Sequence, residues 1–153
     1  MIRIKLEELG VRLKEELSKA EISASELKKT ANEASHGMAA SYSVAGDVEH
    51  AKNTALLSLQ KLEQLKKLNK EVTEALEKAM PVTASPACFL SIKFDDGRTS
   101  DLYYVKNSAY IFGLNLISPD SIFGKAILGK SIGSNFSYSA GDKKYSGIIL
   151  SIA

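Results

Sequence analysis

Tryptophan is absent from the 153 residues, proline occurs three times, histidine twice and cysteine once. A single cysteine, Cys88, excludes an intrachain disulfide and a thiolate-rich zinc site. Its expected role is a small buried or half-buried thiol. No stretch reaches the ~18–20 uncharged apolar residues of a membrane span. The opening MIRIKLEELG carries a charge every second or third residue, where a secretory signal would have an apolar run. The expectation is a soluble, cytoplasmic chain with no membrane partner. An excess of one charge sign is also missing. Residues 1–80 hold 13 basic and 13 acidic side chains, the remainder 7 and 5, for a net charge of +2. Binding to duplex nucleic acid mainly by phosphate neutralisation is therefore not indicated.

Two local absences organise the first half. Proline is missing throughout residues 5–79, and Asp, Glu, Lys and Arg are missing between His36 and Gly46. The proline-free span is rich in Lys, Glu, Leu and Ala, the composition of long helices. Apolar residues recur every three or four positions at Leu6, Leu9, Leu13, Leu17, Ala20, Ala24, Leu27, Ala31, Ala34 and Met38. The spacing resumes at Val48, Ala51, Ala55, Leu59, Leu62, Leu65, Leu68, Val72, Leu76 and Ala79. This is a coiled-coil seam, and the uncharged stretch between Gly37 and Gly46 marks a break. The spacing predicts an antiparallel helical hairpin over 1–79 with its tip near 37–46. Each arm would be ~45–50 Å long at 1.5 Å per residue. Asp47 would favour the start of the second helix as a cap. The seam is Leu-rich at the base and Ala-rich towards the tip, so the arms should approach closely there. Glu7, Glu8, Lys14, Glu15, Lys28, Lys66 and Lys67 read as a solvated face. A dimerisation coiled coil remains the alternative to an intrachain hairpin.

MPVTASPA, residues 80–87, reads as a linker. From Cys88 the period becomes two, over 88–153. CFLSIKF and TSDLYYV are strand-like and joined at DDGR, where Asp-Gly suits a hairpin turn. AYIFG is a candidate third strand. SPDSIFGKAILGK reads as a short helix capped by Ser118 or Ser121 and ended by Gly129. NFSYSAGDKKYSGIILSIA supplies two more strands around a turn at Gly141-Asp142. The fold class is α+β: a helical hairpin, then a small antiparallel sheet of four or five strands crossed by one helix.

Chemical constellations are few. His36, Asp47, Glu49 and His50 could meet where the arms join and hold a transition metal, but the preferred reading is an ordinary polar hairpin end with no metal. GKAILGK lacks the spacing of a phosphate loop. Both histidines lie in the hairpin, so no Ser/His/Asp arrangement is indicated. Lys143, Lys144 and Tyr145 could touch RNA or a protein partner, or be solvated turn residues. Tyr103, Tyr104 and Tyr110 read as sheet packing with polar ends at the surface.

The order of hairpin then sheet domain, together with LISPDSIFGKAILGKSIG, resembles the Gre transcript-cleavage factors of bacterial RNA polymerase. That family's signature reads much like Ile-Ser-x-x-Ser-Pro-Leu-Gly-Arg-Ala-Leu-Leu-Gly-Lys. Ile117, Ser118, Ser121, Gly124, Lys125, Ala126, Ile127, Leu128, Gly129 and Lys130 match it. LEELGVRLKEEL also looks like the family's first helix. The resemblance implies an FKBP-like C-terminal domain, without isomerase activity, docked at the rim of the polymerase secondary channel. Ser118, Asp120, Ser121 and Ile122 would form the docking loop. The hairpin would enter the channel and bring its tip to the polymerase active site. In cleaving members two tip acids help hold the second catalytic Mg²⁺ and the attacking water, as carboxylates suit a hard cation. The active site is the polymerase's, so such a factor is not itself an enzyme and needs no cofactor. RNA polymerase is the implied partner, nascent RNA an indirect contact, and the free protein a monomer.

Two departures from the family stand out. Its tip reads roughly His-Gly-Asp-Leu-x-Glu-Asn-Ala-Glu-Tyr. Here His36 and Gly37 are followed by Met38, Ala39, Ala40, Ser41 and Tyr42. None of these supplies a negative charge to a metal at neutral pH. Glu33, Asp47 and Glu49 are the nearest acids. Asp47 and Glu49, two apart on a helix, project about 200° apart and cannot chelate one ion together. The second departure is Ile122, where the family usually has proline. The expected function is thus a polymerase-binding elongation regulator without cleavage stimulation. The alternatives are a cleavage factor using Asp47 or Glu49, and a structural adaptor with no polymerase contact.

Overall fold

The computed structural model describes residues 3–36 and 42–153, with side-chain detail for 3–30 and 49–153. Helix α1 spans Ile4–His36 and helix α2 spans Tyr42–Leu76. The two run antiparallel along one seam. α1 contributes Leu6, Leu9, Leu13, Ala20 and Ala24, and α2 contributes Leu62, Leu65, Leu68, Val72 and Ala75. At 1.5 Å per residue the arms are about 50 Å long. The seam differs in detail from the sequence pattern. Ala75 is buried beside Leu76, which packs partly buried against the same core, whereas Ala79 is exposed and Leu59 is 40% exposed. α2 already begins at Tyr42, so Gly46 and Asp47 lie inside it and Asp47 does not cap it. After Leu76 the chain tightens through Glu77 N–H to Glu74 O and Lys78 N–H to Ala75 O, three residues apart.

The second half is a five-stranded sheet ordered β3-β2-β1-β5-β4. Its strands are β1 (Cys88–Phe94), β2 (Thr99–Tyr104), β3 (Leu116–Ile117), β4 (Asn135–Ala140) and β5 (Lys143–Ile152). Three neighbouring pairs are antiparallel, and β2–β3 is parallel. The candidate strand AYIFG is not one. Residues 109–113 belong to a loop, and the third strand forms later, at Leu116–Ile117. The β4–β5 turn has Gly141 at φ +64° in its first central position, which a two-residue type II′ hairpin requires.

Alternation along β1 and β2 divides the buried residues between two cores. Cys88, Leu90, Ile92, Leu102 and Tyr104 face a core shared with Ile127 of helix α3 (Ile122–Ile127), Phe136 and Ile149. A bulge at Leu150 lets Ile149 and Ile152 both reach this core although they are three apart, by pairing with Ile92 and Leu90. Tyr103 and Val105 point the other way and join Leu6, Leu9, Leu13 and Val72 at the hairpin base. The sheet is therefore the middle layer, with the hairpin base on one face and α3 on the other.

Arg3 ties the layers together. It is 5% exposed, and its guanidinium donates to Ala75 O at 2.9 Å, Ala87 O at 2.8 Å and Ala153 O at 3.2 Å. Those carbonyls belong to the end of α2, the linker and the last strand's extension. A cation beside the last carbonyls of α2 also complements the helix dipole. One turn earlier on α2, the Glu71 carboxylate accepts from the Lys106 and Asn107 backbone N–H groups and the Asn107 side chain, at 2.7, 2.8 and 2.9 Å. Ile111 of the same loop is buried against the hairpin, and Arg12 donates to Phe112 O.

Candidate functional site

The loop that the sequence singled out follows β3. Ser118 begins it, and its carbonyl becomes the centre of a small network. Ser121 N–H donates to that carbonyl at 3.1 Å, and Ser121 Oγ donates to it at 2.7 Å. Ser118 Oγ accepts from Asp120 N–H at 3.1 Å. Ser121 has extended backbone angles, φ −72° and ψ 158°, and its Oγ accepts from Gly124 N–H at 2.9 Å. Ser121 is therefore the N-cap of α3, the role left open between Ser118 and Ser121 in the sequence. Its hydroxyl is engaged within the loop, while the residue itself remains exposed at the surface.

Gly124 is the closest contact in this network. A Cβ built on it would lie 1.8 Å from Ser118 O and 2.8 Å from Ser121 Oγ. Glycine is required here for space, not for backbone freedom. Its own carbonyl accepts from the Tyr104 hydroxyl at 2.8 Å. Tyr104 is fully buried. Burial, with Cys88 and Asp120 adding, pushes its hydroxyl up to about 12. A neutral phenol is thus kept as the donor that pins α3 to β2. Phe123 completes the inner face of α3 against Phe136 and Tyr138, with ring centroids 5.5 and 5.1 Å away.

The outer face is left to solvent. Asp120, Ser121 and Ile122 are exposed, Ile122 at 61%. Ile122 is the first helical residue, where the N–H has no intrahelical partner, so isoleucine takes the position without loss to the helix.

The hairpin tip is the other region that the sequence marked. Met38, Ala39 and Ser41 lie outside the described residues, as do Gly37 and the side chain of Tyr42, whose backbone opens α2. Asp47 lies in α2 with its side chain outside the described detail. Glu49 and His50 are exposed on α2. Among the described residues no group of three or more His, Cys, Asp or Glu side chains is placed to hold a metal ion. None of the described helices is long and apolar enough to cross a membrane.

Three features escaped sequence reasoning. Tyr110 is not sheet packing: it is 75% exposed on the 106–115 loop, beside Phe112 at 78%. Tyr103 and Tyr104 are buried, and their hydroxyls serve as internal donors, Tyr103 to Lys5 O at 3.1 Å. The Arg3 clamp gave no signal, because an arginine near a chain start resembles a solvated charge.

Comparison with protein-family models finds no match, and comparison with curated proteins finds none. Among solved structures, the chain is similar to the GreA factor homolog 1 (Gfh1) protein of Thermus thermophilus. The two are 19% identical, 94% of each chain is covered and the TM-score is 0.41. Thermus aquaticus Gfh1 is 20% identical, over 92% of this chain and 91% of that one, with a TM-score of 0.42. The prokaryotic transcription elongation factor GreA/GreB from Nitrosomonas europaea is 18% identical over 58% of this chain and 78% of that one, with a TM-score of 0.41.

Proposed function

We propose that this protein binds bacterial RNA polymerase and regulates transcript elongation without stimulating RNA cleavage. In this reading the sheet domain docks at the rim of the secondary channel through Ser118, Asp120, Ser121 and Ile122, and the hairpin reaches inward from there. The observation that carries it is the 118–124 loop. A stretch with the Gre-like signature is locked from within by Ser118, Ser121, Gly124 and Tyr104, and it turns Asp120 and Ile122 outward. A preorganised, exposed loop loses little conformational freedom when a partner binds it.

The absence of cleavage follows from the tip sequence. No carboxylate lies between His36 and Gly46, so the residues after His36-Gly37 cannot hold a second Mg²⁺ or orient a water for it. A hairpin of this kind would act by occupancy: obstructing nucleotide access, competing with other channel-binding factors or altering pausing. No cofactor is involved, and the protein is not an enzyme on its own.

The test is binding of the full chain to core RNA polymerase by fluorescence anisotropy, with RNA cleavage read in the same stalled elongation complexes. Binding without stimulated cleavage is expected. Binding with cleavage that Asp47→Asn or Glu49→Gln abolishes would replace this reading by the active-factor one. A second reading, a self-associating coiled coil, is favoured by Ile22, Leu56 and Leu57, which are 54–66% exposed midway along the hairpin. A monomeric mass across a hundredfold concentration range in sedimentation would remove it.

A further inference from the structure

α3 turns Phe123, Gly124 and Ile127 inward, which leaves Ile122, Lys125 and Leu128 on its outer face at successive three-residue steps. Ile122 is 61% exposed and Leu128 51%. Immediately beyond, the linker crosses the end of the helix. Thr83 pairs with Ser131 in an isolated antiparallel bridge, Ala84 N–H donates to Lys130 O at 2.7 Å and Gly129 N–H to Ala84 O at 2.8 Å. Val82 and Ile132 flank that bridge as its next neighbours, and they are 82% and 59% exposed. Four large aliphatic side chains thus stand in solvent along one edge of the sheet domain. The segments beneath them are held by hydrogen bonds and by the fully buried Ala84 and Ile127. Single exposed aliphatics are ordinary; a run of them on a fixed scaffold marks an interaction surface.

We infer that this ridge, from Ile122 through Lys125 and Leu128 to Val82 and Ile132, is a protein-docking surface. Its partner is a helix or strand face that presents apolar side chains on either side of a carboxylate. The charge pattern selects this occupant. Lys125 sits between the apolar positions of α3 and Lys130 follows, both exposed. A second copy related by a two-fold axis through the middle of the ridge would set Lys125 against its own copy, a like-charge pairing that interfaces avoid. A nucleic-acid backbone would gain nothing from four aliphatic groups. The inference rests on the docking reading above and extends it: the loop sets the register, and the ridge supplies the apolar contact.

The test uses the full chain and core RNA polymerase in the anisotropy assay. The variants are Leu128→Ser with Ile132→Ser, and separately Lys125→Glu. All three side chains are exposed, so folding should be untouched, and melting temperature checks this. Affinity should fall about tenfold or more for the double variant, as when central apolar contacts are truncated. For Lys125→Glu it should fall severalfold, with a shallower salt dependence than the parent protein. Parent binding with both variants within twofold of it would overturn the ridge and leave the docking loop standing. No binding by the parent protein would overturn both. Parent self-association abolished by the double variant would make the surface an interface between copies and likewise overturn the inference.

Discussion

The hairpin and the sheet domain are built on opposite principles, and one residue type shows it. Gly10 lies on the inner side of α1, and a Cβ there would find Val72 Cγ1 at 3.8 Å and Leu76 Cδ1 at 3.9 Å, ordinary contact distances. Gly124 and Gly147 lie in the sheet domain. A Cβ would meet Ser118 O at 1.8 Å at the first and Lys93 O at 2.4 Å at the second. In the hairpin a repeating seam tolerates a missing or added methyl group at many levels. In the sheet domain, backbones touch where no side chain fits, and each contact occurs once. A repeating structure spreads its specification over many residues; a non-repeating one concentrates it.

The sharpest way to break this contrast is Gly124→Ala. The methyl group must displace the Ser118 carbonyl, which carries the Ser121 backbone and hydroxyl bonds, and it crowds the capping Oγ. Overpacking that moves backbone typically costs about 1–3 kcal/mol, and a clash with a carbonyl oxygen belongs at the upper end. The expected outcome is a large loss in denaturant midpoint together with lost polymerase binding. Near-parent stability would mean that the 118–124 loop can relax and is not preorganised.

The next effect is set by pH and belongs to the sheet domain alone. Burial pushes the Cys88 thiol up from 9.0 to about 11, against weaker opposing effects of a Ser85 backbone hydrogen bond and Arg3. The folded state therefore keeps the proton that the unfolded chain gives up near pH 9. Stability from this group is complete below pH 9 and falls as pH rises through 9 to 11, by about 2–3 kcal/mol at the upper end. Tyr104, pushed up from 10.0 to about 12 mainly by burial, acts with the same sign from pH 10 to 12 and so adds to the upper part of this decline. Chemical denaturation at pH 8, 9.5 and 11 should show the decline, and Cys88→Ala should flatten its lower part. An unchanged slope in that variant would remove Cys88 as the cause.

The same division explains what could be read from the residues. The hairpin was legible because its seam repeats and proline is absent, so each turn restates the pattern. Its ends were less so: every third or fourth position leaves two candidates per turn, and Ala75 is buried beside the expected Leu76 while Ala79 is exposed. Gly46 was read as a break, yet α2 runs through it, since one interior glycine costs a helix only about 1 kcal/mol. In the sheet domain, β1, β2, β4, β5 and α3 followed from alternation, Asp-Gly and Gly-Asp turns and the serine cap. AYIFG misled because its β-branched and aromatic residues suit a strand as well as a loop. Ile111 is drawn into the hairpin core, and Arg12 holds the Phe112 carbonyl from a hundred positions away in sequence. The parallel β2–β3 pair and the Arg3 clamp depend on the same kind of distant meeting. For the candidate site, the residues of the loop were legible but the use of each was not. The spacing left the cap of α3 open between Ser118 and Ser121, and only the folded loop assigns it to the Ser121 hydroxyl.

The mildest test runs in the other direction. Gly10→Ala fills space at ordinary contact distance and removes a glycine from a helix interior. Less backbone freedom is then lost on folding, worth about 0.5–1 kcal/mol, and contact with Val72 and Leu76 adds apolar burial at the hairpin base. The expected result is a rise in melting temperature of about 2–4 °C, the usual response to such a gain at this chain length. The substitution lies near the Arg3 clamp but touches none of its carbonyls, so polymerase binding should be unchanged. A fall in melting temperature would mean that α1 and α2 approach more closely at the base than 3.8 Å allows. The hairpin would then, like the sheet domain, depend on a glycine that nothing can replace, and the contrast between the two halves would hold only above the base.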